Sequence, residues 1–245
     1  YRSWEEKLSQ SHPTIVVSEN MAKKYKELYG VDKTYVIKNF PLSAESAYVY
    51  AHVNDIRRDV ISLGYIGSEI LANKASSRLP FKDMSITIRV LHKILRDIRG
   101  DKKLIVKALG CKEGKYHGFV ECLGFYRHID LYRVMANFHV GLLTWTPHEL
   151  HEYFSPNKLY IYAHAGCIPS ITSSFTEVLE DFKEVKVFVI HKENFALNLE
   201  DFFKMLLDID YQELNSMRIS VMKHAKRKLV FDNYEDTLLK ALKKA

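Results

Sequence analysis

The sequence predicts an α/β protein built on a doubly wound parallel β-sheet of the Rossmann-like type. Short apolar runs rich in valine and isoleucine alternate along the chain with segments of helical periodicity. This alternation favours a parallel sheet that helices cover on both faces. Several of the apolar runs end in a glycine turn or a polar loop. In sheets of this kind, ligands bind beyond the carboxyl ends of the strands.

Local patterns predict the elements in chain order. Strands are expected where apolar residues cluster, at 14–17, 35–37, 60–67, 104–109, 119–124, 140–145, 168–172 and 185–190. Helices are expected at 2–10, 18–29, 84–98, 129–137, 155–166 and 175–182, and further helices complete the C-terminal part. Ser18 is the expected N-cap of the second helix, and Gly30 is its expected stop. Residues 42–58 read as a connector, and 68–82 as a polar loop that contains Lys74, Arg78 and Lys82.

Composition excludes some classes of protein. The 245 residues are 47% hydrophobic and 27% charged, which is typical of a soluble globular protein. No apolar run is long enough to cross a membrane, and no signal peptide is visible. The net charge of +6 permits phosphates, nucleic acid or a membrane surface as partners. Cys111, Cys122 and Cys167 lack metal-ligand spacing, so we expect buried free thiols in a reducing compartment.

The most informative local pattern begins at Ser155. This residue is a good N-cap, Pro156 suits the first helical position, and Gly166 is a natural stop. The helix would follow the predicted strand at 140–145, so its free N–H groups and its dipole would favour a phosphate. Lys158 would add a positive charge there, although a solvated surface lysine explains it equally well.

Several passages, taken in order, resemble the GT-B glycosyltransferases of the family 4 or group 1 type. Residues 14–18 and 36–39 look like the end of that family's N-terminal domain, and 63–68 like the opening strand and turn of its C-terminal domain. The passage from Cys122 to Tyr132 is similar to the next strand and helix, and 155–169 is similar to the family's SPNKLFEYMAAGKPV signature.

The resemblance implies one half of a GT-B two-domain fold. By this comparison, 1–41 is the last strand–helix–strand of an otherwise missing acceptor domain, and 42–59 is a linker. Residues 60–228 would form the nucleotide-sugar donor-binding domain, and 229–245 a helix that packs back toward the N-terminal domain. We therefore expect the chain to be a fragment of a longer enzyme.

The same resemblance suggests which residues hold the donor. Those expected to bind its phosphates are Gly67, Ser68, Lys82, Ser155, Asn157, Lys158, Ser173 and Ser174. Those expected near the base are Glu121, Gly124 and Phe125. Lys82 is also explained as a solubilising charge, and the two serines at 173 and 174 as ordinary turn residues.

The chain departs from the family in one important respect. The family carries two glutamates eight positions apart, and the second is understood to hold the donor's ribose hydroxyls. In this chain their positions are occupied by Tyr153 and Ile161, and Glu152 lies one residue out of register as the only catalytic candidate. Ser68 also stands where the family often has arginine. Ribose recognition is therefore altered, the donor is unusual, or catalysis is lost.

These observations, with the resemblance, favour a retaining glycosyltransferase that uses a UDP- or GDP-sugar and no cofactor. A non-catalytic GT-B-like partner module with a degenerate donor site is the main alternative, and a GT-B epimerase is a third. No metal site is expected, because His148, His151 and the glutamates beside them do not have zincin spacing.

The expected acceptor is a glycan or a lipid-linked sugar. Basic residues near the C-terminus would form a solvated helix face or a peripheral membrane contact; they are Lys223, Lys226, Arg227, Lys228, Lys240, Lys243 and Lys244. No nucleic-acid module is recognisable. The expected location is the cytoplasm, or the inner face of the membrane.

Overall fold

The structure is a computed structural model that describes residues 2–31, 33–52, 60–72, 79–97 and 103–243. Lys74, Arg78, Lys244 and part of the predicted connector lie outside the described residues. No helix within those described ranges is long and apolar enough to span a membrane.

The strands and helices alternate through most of the described chain. The strands are β1 (Thr14–Val16), β2 (Thr34–Val36), β3 (Val60–Ile66), β4 (Lys103–Leu109), β5 (Gly114–Tyr116), β6 (Val120–Cys122), β7 (Val140–Leu143), β8 (Ile168–Thr172) and β9 (Phe188–Ile190). The helices are α1 (Arg2–Ser11), α2 (Glu19–Tyr29), α3 (Ser43–Ser46), α4 (Ser85–Asp97), α5 (His128–Met135), α6 (Asn157–His164), α7 (Thr176–Asp181), α8 (Phe195–Asp208), α9 (Tyr211–Lys228) and α10 (Glu235–Leu242).

The larger sheet confirms the predicted fold class. Its strand order is β5-β6-β4-β3-β7-β8-β9, and every pairing is parallel except β5 with β6. Without β5, this is the 3-2-1-4-5-6 order of the doubly wound fold, and the strand order reverses between β3 and β7. Helix α4 packs against α8, while α6 packs against α5 and α9.

Helix α6 is held at this reversal point by Tyr162. The Ile66 N–H donates to the Tyr162 hydroxyl at 2.9 Å, and that hydroxyl donates to the Leu142 carbonyl at 3.3 Å. A Cβ at Gly141 would lie 2.3 Å from the Tyr162 ring, so the glycine in β7 is what allows the close approach. The start of α6 is thereby positioned beside the ends of β3 and β7.

The N-terminal segment forms a separate two-stranded parallel sheet of β1 and β2. Ser18 caps α2 by accepting from the Met21 N–H, and Gly30 ends it in the left-handed conformation, so both predictions are confirmed. Helix α10 packs against β2. The Phe231 N–H donates to the Pro41 carbonyl at 2.8 Å, which joins the C-terminal segment to the N-terminal one.

Three expectations were wrong. The segment between the strands predicted at 104–109 and 119–124, where no strand was expected, contains β5, which is too short and polar to show an apolar pattern. Cys111 and Cys122 are joined in a disulfide across this hairpin, so they are not free thiols; Cys167 is free and buried, as expected. Lys226 does not belong to a solvated face, because its Nζ donates to the Ser46 carbonyl at 2.7 Å near the end of α3.

Candidate functional site

A cleft of about 880 Å³ lies between the N-terminal segment and the start of α6. One wall comes from residues 37–42 together with Ile15 and Val17, and the other from Phe81, Lys82, Trp145 and the 154–158 segment. This second wall stands at the carboxyl ends of β3 and β7, where the strand order reverses. Doubly wound folds bind their ligands at this position.

The helix that reaches the cleft begins later than the sequence predicts. Pro156 occupies the N-cap position of α6, where it is extended and provides no side-chain cap. The predicted cap, Ser155, instead shares a hydrogen bond of 2.8 Å with the Tyr160 hydroxyl, which donates to Asp181 at 2.9 Å. The predicted capping role of Ser155 is therefore wrong, because a buried tyrosine one turn later engages its hydroxyl. The first turn of α6, with Asn157 and Lys158, faces the cleft without a side-chain cap.

Lys158 lies among aromatic rings rather than in solvent. Its side chain is 14% exposed, and its Nζ lies 4.7 Å from the centre of the Tyr65 ring and 5.0 Å from that of the Trp145 ring. Burial lowers the pKa of Lys158 to about 8, although the Glu69 carboxylate acts in the opposite direction. Because its pKa is close to neutral pH, the Lys158 side chain can exist in both the charged and the neutral form.

Glu69 is the partner that sequence reasoning missed. Its Oε2 lies 3.2 Å from Lys158 Nζ and accepts from the Tyr65 hydroxyl at 2.9 Å. Its Oε1 lies 4.0 Å from Lys82 Nζ. Burial raises the pKa of Glu69, but the Lys158 ammonium and several hydrogen bonds outweigh this and lower it below its usual value. The signal in the sequence was a carboxylate two residues after a glycine turn at the end of a strand, which could have indicated Glu69.

The turn at Gly67 makes room for this carboxylate. Gly67 has a φ of +131°, and a Cβ there would lie 2.2 Å from Glu69 Oε2 and 2.7 Å from Lys158 Nζ. Ser68 is exposed beside it, and its side chain caps no helix. Of the predicted phosphate residues, Lys82, Ser155, Asn157 and Lys158 line the cleft, and Gly67 adjoins it through Lys158.

The two serines after β8 have structural partners. The Ser174 hydroxyl bonds to His151 Nδ1 at 2.8 Å, and His151 Nε2 donates to the Phe81 carbonyl at 2.6 Å. Burial lowers the pKa of His151 to about 4, so this fully buried imidazole is neutral at pH 7 and ties the segment before Lys82 to the β8 loop. Ser173 accepts from the Lys192 N–H at 2.8 Å. Neither serine is among the described residues that line the cleft.

The remaining candidates do not belong to the described lining of the cleft. Glu121 pairs with Lys107 at 2.9 Å, the Gly124 carbonyl accepts from the Gly110 N–H at 2.8 Å, and the Phe125 side chain is 78% exposed. All three lie at or just beyond β6, and they are absent from the described lining of the cleft. Their predicted contact with a base stays a prediction.

Ile161, at the position of the family's second glutamate, and the catalytic candidate Glu152 differ in depth. Ile161 lines the cleft and is 3% exposed, so it forms an apolar floor. Glu152 is exposed outside the described cleft lining, and its carbonyl accepts from Asn20 Nδ2 at 3.2 Å. The described residues contain no cluster of three or more histidines, cysteines and carboxylates suited to a metal ion.

Further contacts bind the two walls of the cleft together. Asn39 Nδ2 donates to the Ser155 carbonyl at 2.9 Å, and Lys38 Nζ donates to Asp181 at 2.5 Å. Burial raises the pKa of Asp181, although its lysine partner opposes that rise. The sequence resemblance included Asn39 but attached no role to it. In the structure, these contacts fix the start of α6 against the N-terminal segment.

Solved structures that share this architecture include glycosyltransferases. HepE from Anabaena, in complex with UDP and glucose, matches with a TM-score of 0.71 and 14% identity, over 100% of this chain and 67% of HepE. A TarM variant from S. aureus, in complex with UDP, fondaparinux and alpha-GlcNAc-glycerol, matches with a TM-score of 0.66 and 12% identity, over 98% of this chain and 46% of TarM. A glycosyltransferase from Rickettsia africae matches with a TM-score of 0.66 and 12% identity, over 100% and 67% of the two chains.

This chain thus spans between 46% and 67% of the length of these three proteins. No protein-family model and no curated protein matches it in sequence. The agreement in architecture extends across nearly all of the chain, as the resemblance of the sequence passages implied. The fold of this chain is therefore that of the GT-B glycosyltransferases.

Proposed function

We propose that this chain supplies the donor site of a glycosyltransferase that uses a nucleoside diphosphate sugar. One observation carries the proposal: Lys158 is held with 14% exposure at the uncapped start of α6, facing the cleft at the reversal point of the sheet. Helix N–H groups and a lysine together favour a phosphate group. The neighbours bound to UDP support the same ligand class.

The chemistry that follows is electrostatic. When the bond from the sugar to the diphosphate breaks, negative charge develops on the leaving diphosphate. Lys158, Lys82 and the first N–H groups of α6 would stabilise that charge in a partly dehydrated cleft. We propose, from the family resemblance, that transfer proceeds with retention onto a glycan or a lipid-linked acceptor.

The test is calorimetric titration with UDP, GDP and their common sugar conjugates at pH 7. We expect binding of one nucleoside diphosphate, weakened about tenfold or more in Lys158→Ala, because a charge-assisted contact is lost. Lys204→Ala is the matched control, since Lys204 is 57% exposed on α8 and should leave binding unchanged. Equal affinities in wild type and Lys158→Ala would refute a diphosphate position at α6.

A second candidate function has its own observation. The buried, apolar Ile161 offers no hydrogen bond at the position that the resemblance assigns to ribose recognition. This favours a non-catalytic partner module with a degenerate donor site. Ile161→Glu distinguishes the two: a gain in nucleotide binding or turnover supports a decayed site, whereas a loss in a variant that still folds supports a site adapted to its own donor.

A further inference from the structure

We infer that Glu69 is an internal competitor for the anion site of the cleft, which a diphosphate must displace or bind beside. In the structure, its carboxylate faces Lys158 and Lys82, the two lysines that a phosphate would contact. The inference rests on the proposed function only in naming a diphosphate as the ligand. The carboxylate and the lysines themselves are features of the cleft.

The geometry of the carboxylate is that of a bridging anion. One oxygen faces Lys158 at 3.2 Å, and the other faces Lys82 at 4.0 Å. The side chains are 22% exposed for Glu69, 14% for Lys158 and 32% for Lys82. The cluster is therefore partly shielded from water. A contact between charges is stronger in such a place than on an open surface.

The surroundings hold the carboxylate in this position. The Tyr65 hydroxyl donates to Glu69 and itself accepts from Trp145 Nε1 at 3.0 Å. Tyr65 is completely buried, and Trp145 is 3% exposed. The absence of a side chain at Gly67 leaves the space that the carboxylate fills. Three features thus favour this rotamer of Glu69 over one that points into solvent.

The consequence for a ligand follows from charge. Two lysines and one carboxylate leave a single net positive charge in the cluster. If the carboxylate moves away, the apparent affinity of the ligand is its intrinsic affinity multiplied by the fraction of molecules in which the carboxylate has moved. If the carboxylate stays, it repels the phosphates directly. In both cases, removing the negative charge of Glu69 strengthens diphosphate binding. A weakly charged anion competes poorly with the Glu69 carboxylate for the two lysines.

The experiment compares Glu69→Gln with wild type by calorimetry at pH 6, using UDP, inorganic diphosphate and uridine. Glutamine keeps the size and still accepts from Tyr65, so the fold should be retained. We expect UDP and diphosphate to bind about tenfold more tightly, since a like charge in a partly shielded site is removed, and uridine affinity to stay the same. Glu200→Gln is the matched control, because Glu200 bridges Lys93 and Lys204 at 2.7 Å each on the outer surface.

The pH profile gives a readout that a purely structural role would not change. The titratable groups that face Lys158 are Tyr65, Glu69 and Lys82. The Glu69 charge opposes the lowering of the lysine's pKa by burial. In Glu69→Gln the ammonium should therefore lose its proton at lower pH, and the gain in affinity should shrink as the pH rises from 6 toward 8.

The outcomes separate this inference from the proposed function. Unchanged or weaker binding of UDP and diphosphate by Glu69→Gln overturns the inference, while binding that still depends on Lys158 leaves the proposed function intact. Tighter binding of diphosphate by Glu69→Gln, with no affinity for any nucleotide, supports the inference and overturns the proposed function. No binding of either ligand by either protein overturns both.

Discussion

Two lysine–glutamate–lysine clusters in this protein have the same composition but differ in how far their lysines are exposed to water. The surface cluster joins Glu200 of α8 to Lys93 and Lys204, with both contacts at 2.7 Å and the lysines 60% and 57% exposed. The cleft cluster joins Glu69 to Lys158 and Lys82 at 3.2 and 4.0 Å, with the lysines 14% and 32% exposed. The contacts are longer in the cleft, where the lysines are better shielded.

The pKa values of Lys204 and Lys158 move in opposite directions. Hydrogen bonding to Glu200 raises the pKa of Lys204, whereas burial lowers that of Lys158 to about 8. Lys204 is largely exposed to water, so its carboxylate partner adds to the stability of the charge. In the cleft, burial removes water from the ammonium, and one carboxylate does not replace it. The surroundings of an ion pair, rather than the pair itself, therefore distinguish a candidate site from an ordinary surface contact.

The largest effect is expected from a substitution that disturbs the cleft cluster and leaves the surface cluster intact. Gly67→Ala should lower the free energy of unfolding by about 2–3 kcal/mol, because a side chain at this φ is strained and its Cβ meets Glu69 and Lys158. Chemical denaturation measures the change. Gly118→Ala is the control: Gly118 also has a positive φ, of +76°, but a Cβ there meets nothing within 4 Å. Equal losses in the two variants would mean that backbone strain alone, and not the cluster, accounts for the effect.

The next effect concerns pH. Because the folded-state pKa of Lys158 is about 8 against an ordinary 10.5, the unfolded chain binds more protons between these values. The free energy of unfolding should therefore rise from pH 8 to pH 10, with a Lys158 contribution of about 2 kcal/mol. Denaturation of wild type and Lys158→Met at pH 7 and pH 10 isolates this contribution. Lys204, with a raised pKa, should show the reverse sign, losing stability above pH 10.5. The same pH dependence in wild type and Lys158→Met would contradict the shift.

The smallest expected effect tests the hydrogen bonds that support Glu69 in the cleft cluster. Tyr65→Phe should lower the free energy of unfolding by about 1–2 kcal/mol, because it leaves the buried Trp145 N–H without its acceptor. The control is Tyr116→Phe, whose hydroxyl donates to the Lys112 carbonyl at the surface and should contribute less. If the two variants lose the same stability, the network behind Glu69 does not hold it in place.

Local signals in the sequence were reliable where the deciding contact is also local. Ser18 and Gly30 delimit α2 as expected, since a cap depends on atoms within a few residues. Ser155 carried the same kind of signal and failed, because its hydroxyl bonds to Tyr160, whose partner Asp181 comes from another helix. The disulfide between Cys111 and Cys122 was likewise missed, since pairing depends on a hairpin whose first strand has no apolar pattern.

The candidate site divides in the same way. The resemblance of the 155–169 passage indicated Lys158 and the start of α6, and Gly67 marked the turn opposite. Glu69 was overlooked because its role appears only when β3 and β7 lie side by side and bring the turn after β3 against α6. Ser174 was expected at a phosphate, yet its partner His151 lies on a different loop.

The sequence by itself determined the order of strands and helices, and hence the doubly wound sheet, because hydrophobic periodicity and caps are properties of neighbouring residues. Only the tertiary structure decided which charged groups face one another. Lys158 lies far from Glu69 and Lys82 in the chain, and it meets them because β3 and β7 are neighbours where the sheet reverses its order. Their burial, and therefore the lowered pKa of Lys158, depends on Tyr65 and Trp145 packing around them. Solvation at a site is set by everything that surrounds it, and no local pattern in the chain records that.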